Sequence, residues 1–229
     1  MKTQRYSYLT REPEARVRYG LVYGLGFLLL LGGIWMAMEA GKQADRELRE
    51  DILHSVVHIA NAINPEQVRA LTFTGEDSEN PAFLRLRSQL KSYAQVTGLR
   101  SLYTMALRDG KIVFGPESIE PGGPGASLPG TVYENPAPED FEIFKTGQTS
   151  VQGPRTDEYG SFVSALAPVK DPRTGEALMV VGIDVETPLW YARIIRARMF
   201  PLQVLMLILV ILAASVLALR FRKRYKVRR

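Results

Sequence analysis

Asp184 closes an otherwise apolar run, ALMVVGIDV (177–185), and a carboxylate at such a place does one of two jobs. It faces a pocket, where it pairs with a ligand amine or an internal arginine, or it makes a turn at a strand end. An unpaired carboxylate is costly to bury, so a pocket-facing Asp184 needs a partner. Asp157 and Tyr159 stand in TDEYG just before a second strand-like run, SFVSALAPV (161–169), which contains Ser164. Tyr103 and Tyr133 come from neighbouring segments that can line the same cavity. Asp157 equally suits an Asx turn, and a tyrosine on a half-buried strand equally suits core packing with its hydroxyl in water. Arg100 offers the positive charge an organic-acid ligand would need, or is simply solvated.

Other chemistry finds little support. His54 and His58 stand four apart in HSVVH, a spacing that can put two imidazoles on one helix face, but the glutamate of HExxH and a third ligand are missing. They read as surface or dimer-facing groups, with pH sensing as their alternative role. The chain has no cysteine, no G-x-S-x-G and no phosphate loop, so neither an enzyme nor a metal or cofactor site is expected. Without disulfides, an exported domain would have to rest on its core alone.

Charge is distributed unevenly along the 229 residues. Residues 1–19 carry net +3, residues 39–198 net −5 and residues 220–229 net +7, within a total of +5. A nucleic-acid binder would hold its positive charge on the folded part, so that class is set aside. Between these segments lie two uncharged apolar runs, GLVYGLGFLLLLGGIWMAM (20–38) and MFPLQVLMLILVILAASVLAL (199–219). At 1.5 Å per residue each crosses a bilayer core of about 30 Å. The first is too long for a signal-peptide core and reads as an uncleaved anchor. Lys2, Arg5, Arg11, Arg16 and Arg18 before it, and seven basic residues after the second, put both termini in the cytoplasm. Residues 39–198 are then expected outside, periplasmic or extracellular. The basic end reads as a stop-transfer flank, and Gly20 with Gly24 and Ala214 with Ala218 have the spacing of close helix contacts.

The elements that must position the polar residues follow from periodicity. Leu48, Ile52, Val56, Ile59 and Ile63 form one apolar helical stripe, so the first span is expected to continue outward as a long helix. Asn64-Pro65 restarts a short helix, GEDSEN (75–80) reads as a polar loop, and residues 81–97 form a second amphipathic helix stopped by Gly98. SLYTMAL, Asp109-Gly110 and KIVFG make a hairpin, and residues 116–130, rich in proline and glycine, must be loop. A short helix near residues 138–145 precedes two further strands, 161–169 and 177–185. After Thr187-Pro188 a last helix runs to the second span, where Pro201 is expected to interrupt it. The class is α+β: one antiparallel sheet with its helices gathered mainly to one side, flanked by two membrane helices.

Four segments in order, YTMALRDGKIVF (103–114), PGTVY (129–133), TDEYGSFVSALAPVKDPRTGE (156–176) and VVGIDVE (180–186), resemble the extracytoplasmic PAS-like, or Cache-type, sensor domain of bacterial membrane receptors. That group includes histidine kinases, diguanylate cyclases and chemoreceptors. The resemblance covers roughly residues 40–190. It implies a small-ligand pocket between the sheet and the loops over it, often with an acid at the position of Asp184, and a signal that leaves through the helix after the last strand. An organic acid or an amino acid is the implied ligand, and a homodimer the implied assembly. Such receptors continue from the second span into a transmitter. Here ten residues follow that span, both histidines lie outside, and GEDSE is not a cyclase GGDEF signature. The output is therefore expected from a cytoplasmic or membrane partner, or from a longer receptor of which this chain is the input. The rival expectation is an anchored envelope module that binds a protein and has no ligand pocket.

Overall fold

The computed structural model describes residues 11–99 and 101–227. Arg100, and the basic residues Lys2, Arg5, Arg228 and Arg229, lie outside the described residues. Helix α1 (Arg11–Ala62) opens the chain and helix α5 (Thr187–Val227) closes it. The chain divides into two compact units, Met1–Asp45 with Arg193–Arg229, and Arg46–Ala192, and the division falls inside both of these helices.

In the first unit, both helices contain windows long and apolar enough to cross a membrane, with mean hydropathy 2.0 and 2.6. Phe27, Leu28, Trp35, Phe200 and Met206 all have more than half of their surface exposed. Water would not tolerate so continuous an apolar surface, whereas lipid solvates it. Gly33 sits against the Leu205 side chain and Gly41 against Arg198, and Ala37 between them is buried. Small residues at steps of four thus form the close approach of α1 to α5. Gly20 and Gly24 play no such part: a side chain at either would meet nothing nearby. Pro201 lies inside α5 without interrupting it. It removes the hydrogen bond to the Ala197 carbonyl, and a helix flanked by strong helix formers tolerates one such loss.

The second unit is built on a five-stranded antiparallel sheet in the order β2-β1-β5-β4-β3. Its strands are β1 (Ser101–Arg108), β2 (Lys111–Phe114), β3 (Ser150–Asp157), β4 (Gly160–Lys170) and β5 (Ala177–Glu186). Asp109 and Gly110, both at positive φ, close the β1–β2 hairpin in the two-residue turn whose twist matches the strands. The sheet has one strand more than the periodicity indicates. β3 escapes detection because Gly153-Pro154 breaks its pattern and its register against β4 slips between Gln152 and Arg155. As an edge strand it needs no donor at Pro154.

Helices α2 (Pro65–Arg69) and α3 (Pro81–Thr97) each start at an asparagine whose side chain accepts a backbone N–H, and each has proline at its first position. Gly98, at φ 67°, ends α3 in the left-handed conformation. The segment expected as a polar loop is instead a 3₁₀ turn, Gly75–Glu79. Its Asp77 is 2% exposed and accepts from the backbone of Thr72 and Phe73 and from Asn80, which holds Phe73 at a positive φ. Helix α4 (Pro138–Thr146) follows the long loop.

Strand alternation sorts the central side chains onto two faces. Leu102, Thr104, Ala165, Val181 and Ile183 share one face and are fully buried. Tyr103, Met105, Ser164, Leu166, Val180, Gly182 and Asp184 share the other, where Met105, Leu166 and Val180 join Ile143 of α4 in a core cluster. The fold is α+β, with a PAS-like antiparallel sheet, a long N-terminal helix and a long C-terminal helix.

Candidate functional site

Three strands bring Asp184 its neighbours. On β5 it pairs with Ser101 of β1 on one side and Ser164 of β4 on the other. Tyr103, two residues along β1, points to the same face and lies across Gly182, whose missing side chain leaves room for the ring. The Tyr103 hydroxyl donates to Asp184 Oδ1 at 3.1 Å and the Ser164 hydroxyl donates to the same oxygen at 2.7 Å. Oδ2 has no hydrogen-bond donor among the described residues. Burial pushes the Asp184 carboxyl up to about 6, against these two hydrogen bonds, which favour its charge, and with the help of the nearby Asp157. Burial also raises the Tyr103 phenol well above its ordinary value, so it stays protonated and stays a donor.

Asp184 and Tyr103 form the floor of a cavity of about 390 Å³, whose wall includes Phe114, Glu117, Tyr133, Asp157 and Tyr159. That size suits a small metabolite. Phe114 is the hub of an aromatic wall, 5.5 Å from the Tyr133 ring and 5.4 Å from the Tyr159 ring, the latter edge to face. Asp157 makes the Asx turn its sequence suits, with Oδ1 accepting from the Tyr159 and Gly160 amides at 2.9 and 3.2 Å. Its Oδ2 accepts from the Tyr133 hydroxyl at 2.7 Å. Of the residues singled out in the sequence, Asp184, Asp157, Tyr159, Tyr103 and Tyr133 line this cavity. Ser164 reaches it only by holding Asp184, and lines a smaller hollow behind it. His54 and His58 are exposed on α1, and among the described residues no group of three or more metal-ligating side chains occurs.

Periodicity gives no sign of three residues that complete the site. Arg155 lies on β3 and donates from both terminal nitrogens to Asp140 Oδ2 at 3.1 Å, and from Nη2 to the Tyr133 hydroxyl at 2.5 Å. Asp140, 3% exposed, also accepts from the Ala137 amide at the start of α4. The Arg155 charge is thus committed behind the cavity wall, where it orients Tyr133 toward Asp157. Glu117 is 7% exposed, in the loop after β2, and its Oε1 accepts from the Ser127 amide at 2.8 Å. Burial pushes the Glu117 carboxyl up to about 7, opposed by the Ser127 hydrogen bond and by Arg87. Ser127 in turn donates to the Tyr159 hydroxyl at 3.0 Å. A carboxylate in a proline-rich loop looks solvated in a sequence, and only the folding of that loop over the sheet buries it.

An antiparallel sheet in this order, with a cavity between one face and the loops over it and a membrane-length helix on either side in sequence, is a PAS-like arrangement. Solved structures similar to this chain are ligand-binding domains of receptors. One is the ligand-binding domain of the Campylobacter jejuni chemoreceptor Tlp3 in complex with L-valine, with 12% identity, TM-score 0.49, and coverage of 74% of this chain and 66% of that one. Another is the ligand-binding domain of the Pseudomonas aeruginosa amino acid chemoreceptor PctC in complex with GABA, with 17% identity, TM-score 0.43, and coverage of 69% and 64%. A third is an extracellular ligand-binding receptor from Desulfohalobium retbaense, with 18% identity, TM-score 0.47, and coverage of 69% and 26%. The chain spans just under two thirds of the length of the first two. No protein-family model matches the chain, and no curated protein matches it.

Proposed function

We propose that residues 39–198 are the extracytoplasmic input domain of a membrane receptor and that the cavity receives a small metabolite bearing a protonated amine, an amino acid or a simple amine. In this reading residues 20–38 and 199–219 span the inner membrane, both termini are cytoplasmic, and the receptor works as a homodimer. A cytoplasmic or membrane partner provides the output. The observation that carries the reading is Asp184. Its carboxylate lines a cavity of metabolite size, with one oxygen held by Tyr103 and Ser164 and the other without a donor among the described residues. An ammonium group at that second oxygen would satisfy it with a charge-assisted hydrogen bond. The same oxygen would repel a carboxylate ligand.

Transmission follows from chain continuity. Asp184 is three residues before the start of α5, and the Ser161 and Thr187 hydroxyls, 3.0 Å apart, tie that start to β4. A ligand that draws on Asp184 therefore acts on the strand that leads into the second span. It shifts the receptor only by its difference in affinity for the two signalling states. The test is a thermal-shift screen of the full chain in detergent micelles at pH 7.5, with amines, amino acids and dicarboxylates. Amines or amino acids should raise the midpoint and dicarboxylates should leave it unchanged. Stabilisation by dicarboxylates alone, or by a co-purified protein with no response to any small molecule, would refute the reading.

A further inference from the structure

The cavity has a second acidic pole, set apart from the one around Asp184. Asp184, Asp157 and Glu186 line it from the sheet side, where Asp157 opposes the ionisation of Asp184. Glu117 stands in the stretch after β2, whose Gly115 and Ser118 amides bond to β1, and its carboxylate is joined through Ser127 to Tyr159. More than nine tenths of its surface is buried, it lines the cavity, and its Oε2 has no donor among the described residues. Among the described residues no lysine, arginine or histidine lines the same cavity. Arg155 on the sheet is committed to Asp140 and Tyr133, and Arg87, whose charge favours ionised Glu117, is committed to Glu120 and the Ile119 carbonyl. A ligand with one ammonium group and one carboxylate would satisfy Asp184 and set its own carboxylate against Glu117 without a cation to receive it.

We infer that the ligand is a small dication, a linear diamine, with one ammonium on Asp184 and Asp157 and the other on Glu117. This deepens the amine reading above and rests on it. The aromatic wall suits the part between the charges, because Phe114, Tyr133 and Tyr159 offer apolar faces to a methylene chain and ring quadrupoles to its ammonium ends. The raised Glu117 carboxyl, at about 7, is what a buried acid shows when its cation is not bound. Arg100, a cation the sequence offers for a carboxylate ligand, lies outside the described residues, and a zwitterionic probe addresses it directly.

Three probes of one chain length separate the possibilities in calorimetric titrations of the full chain in micelles: 1,4-diaminobutane, 1-aminobutane and 4-aminobutanoate. The diamine should bind at least about tenfold more tightly than either of the others, the gain expected from one further charge-assisted contact. Glu117→Gln, which still accepts the Ser127 hydrogen bond, should remove that advantage, so that diamine and monoamine bind the variant within about twofold of each other. Equal affinity for monoamine and diamine, or tighter binding of the zwitterion, overturns the dication and leaves the amine reading standing. A diamine preference that survives Glu117→Gln removes Glu117 and overturns the two-pole arrangement. Absence of binding by all three overturns the dication and counts against the amine reading as well.

Discussion

Replacing Asp184 by asparagine is expected to weaken binding of an amine ligand by roughly a hundredfold while leaving the fold intact. The two parts have different causes. Asparagine keeps a carbonyl oxygen for the Tyr103 and Ser164 hydroxyls, so the hydrogen bonds that seat the side chain persist. It also ends the penalty of holding a buried carboxylate, so the ligand-free protein loses no stability. Binding loses a charge-assisted contact in a desolvated site, about 3 kcal/mol, which is close to two decades of affinity. The pH dependence has a definite sign. Asp184 is protonated below about 6 and cannot then counter an ammonium ion, so affinity falls as pH drops through that value. At full protonation the loss is about tenfold per pH unit. In Asp184→Asn that dependence should flatten in the same window. Titrations of both proteins between pH 5 and 8 check this, and an unchanged affinity in the variant would take Asp184 out of the site.

Gly182→Ala should damage both the fold and the site, although the position is an ordinary extended strand residue. An added Cβ falls on the ring and hydroxyl of Tyr103, closer than real side chains approach. In the middle of the sheet, between Tyr103 and Leu166, the ring cannot stay where it is. Overpacking of this kind costs about 1–3 kcal/mol, or about 2–4 °C in thermal midpoint for each kcal/mol in a chain of this size. Displacement of the ring also removes the Tyr103 hydrogen bond to Asp184, so ligand affinity should fall together with the midpoint. The double-mutant cycle isolates the cause. In a Tyr103→Ala background the added methyl should cost almost nothing, whereas an equal cost in both backgrounds would mean that the backbone, not the ring, objects to it.

How much of this was legible in the sequence depends on how local each feature is. The helix starts at Asn64 and Asn80, the stop at Gly98 and the Asp109-Gly110 turn are decided within a few residues, and each stands where its sequence implies. The gathering of Tyr103, Ser164 and Asp184 is long-range, yet it was foreseeable because each occupies a strand with a clear alternating pattern. β3 fails that test at Gly153-Pro154, and Arg155 was lost with it. Glu117 and Asp77 are acids in segments that read as solvated, and only tertiary packing buries them. Pro201 shows the reverse error, a strong local signal overruled because one missing hydrogen bond does not end a long helix.

The most direct test of the account is the ionisation of Asp184 itself, followed through its carboxyl carbon by NMR in protein labelled at aspartate, with Asp184→Asn to assign the signal. In the ligand-free protein the group should titrate near 6. With a saturating amine from the screen its midpoint should move down by about two units, to or below that of an ordinary aspartate, because the bound cation stabilises the anion. A midpoint that stays in place, or rises, when the ligand binds would contradict the account.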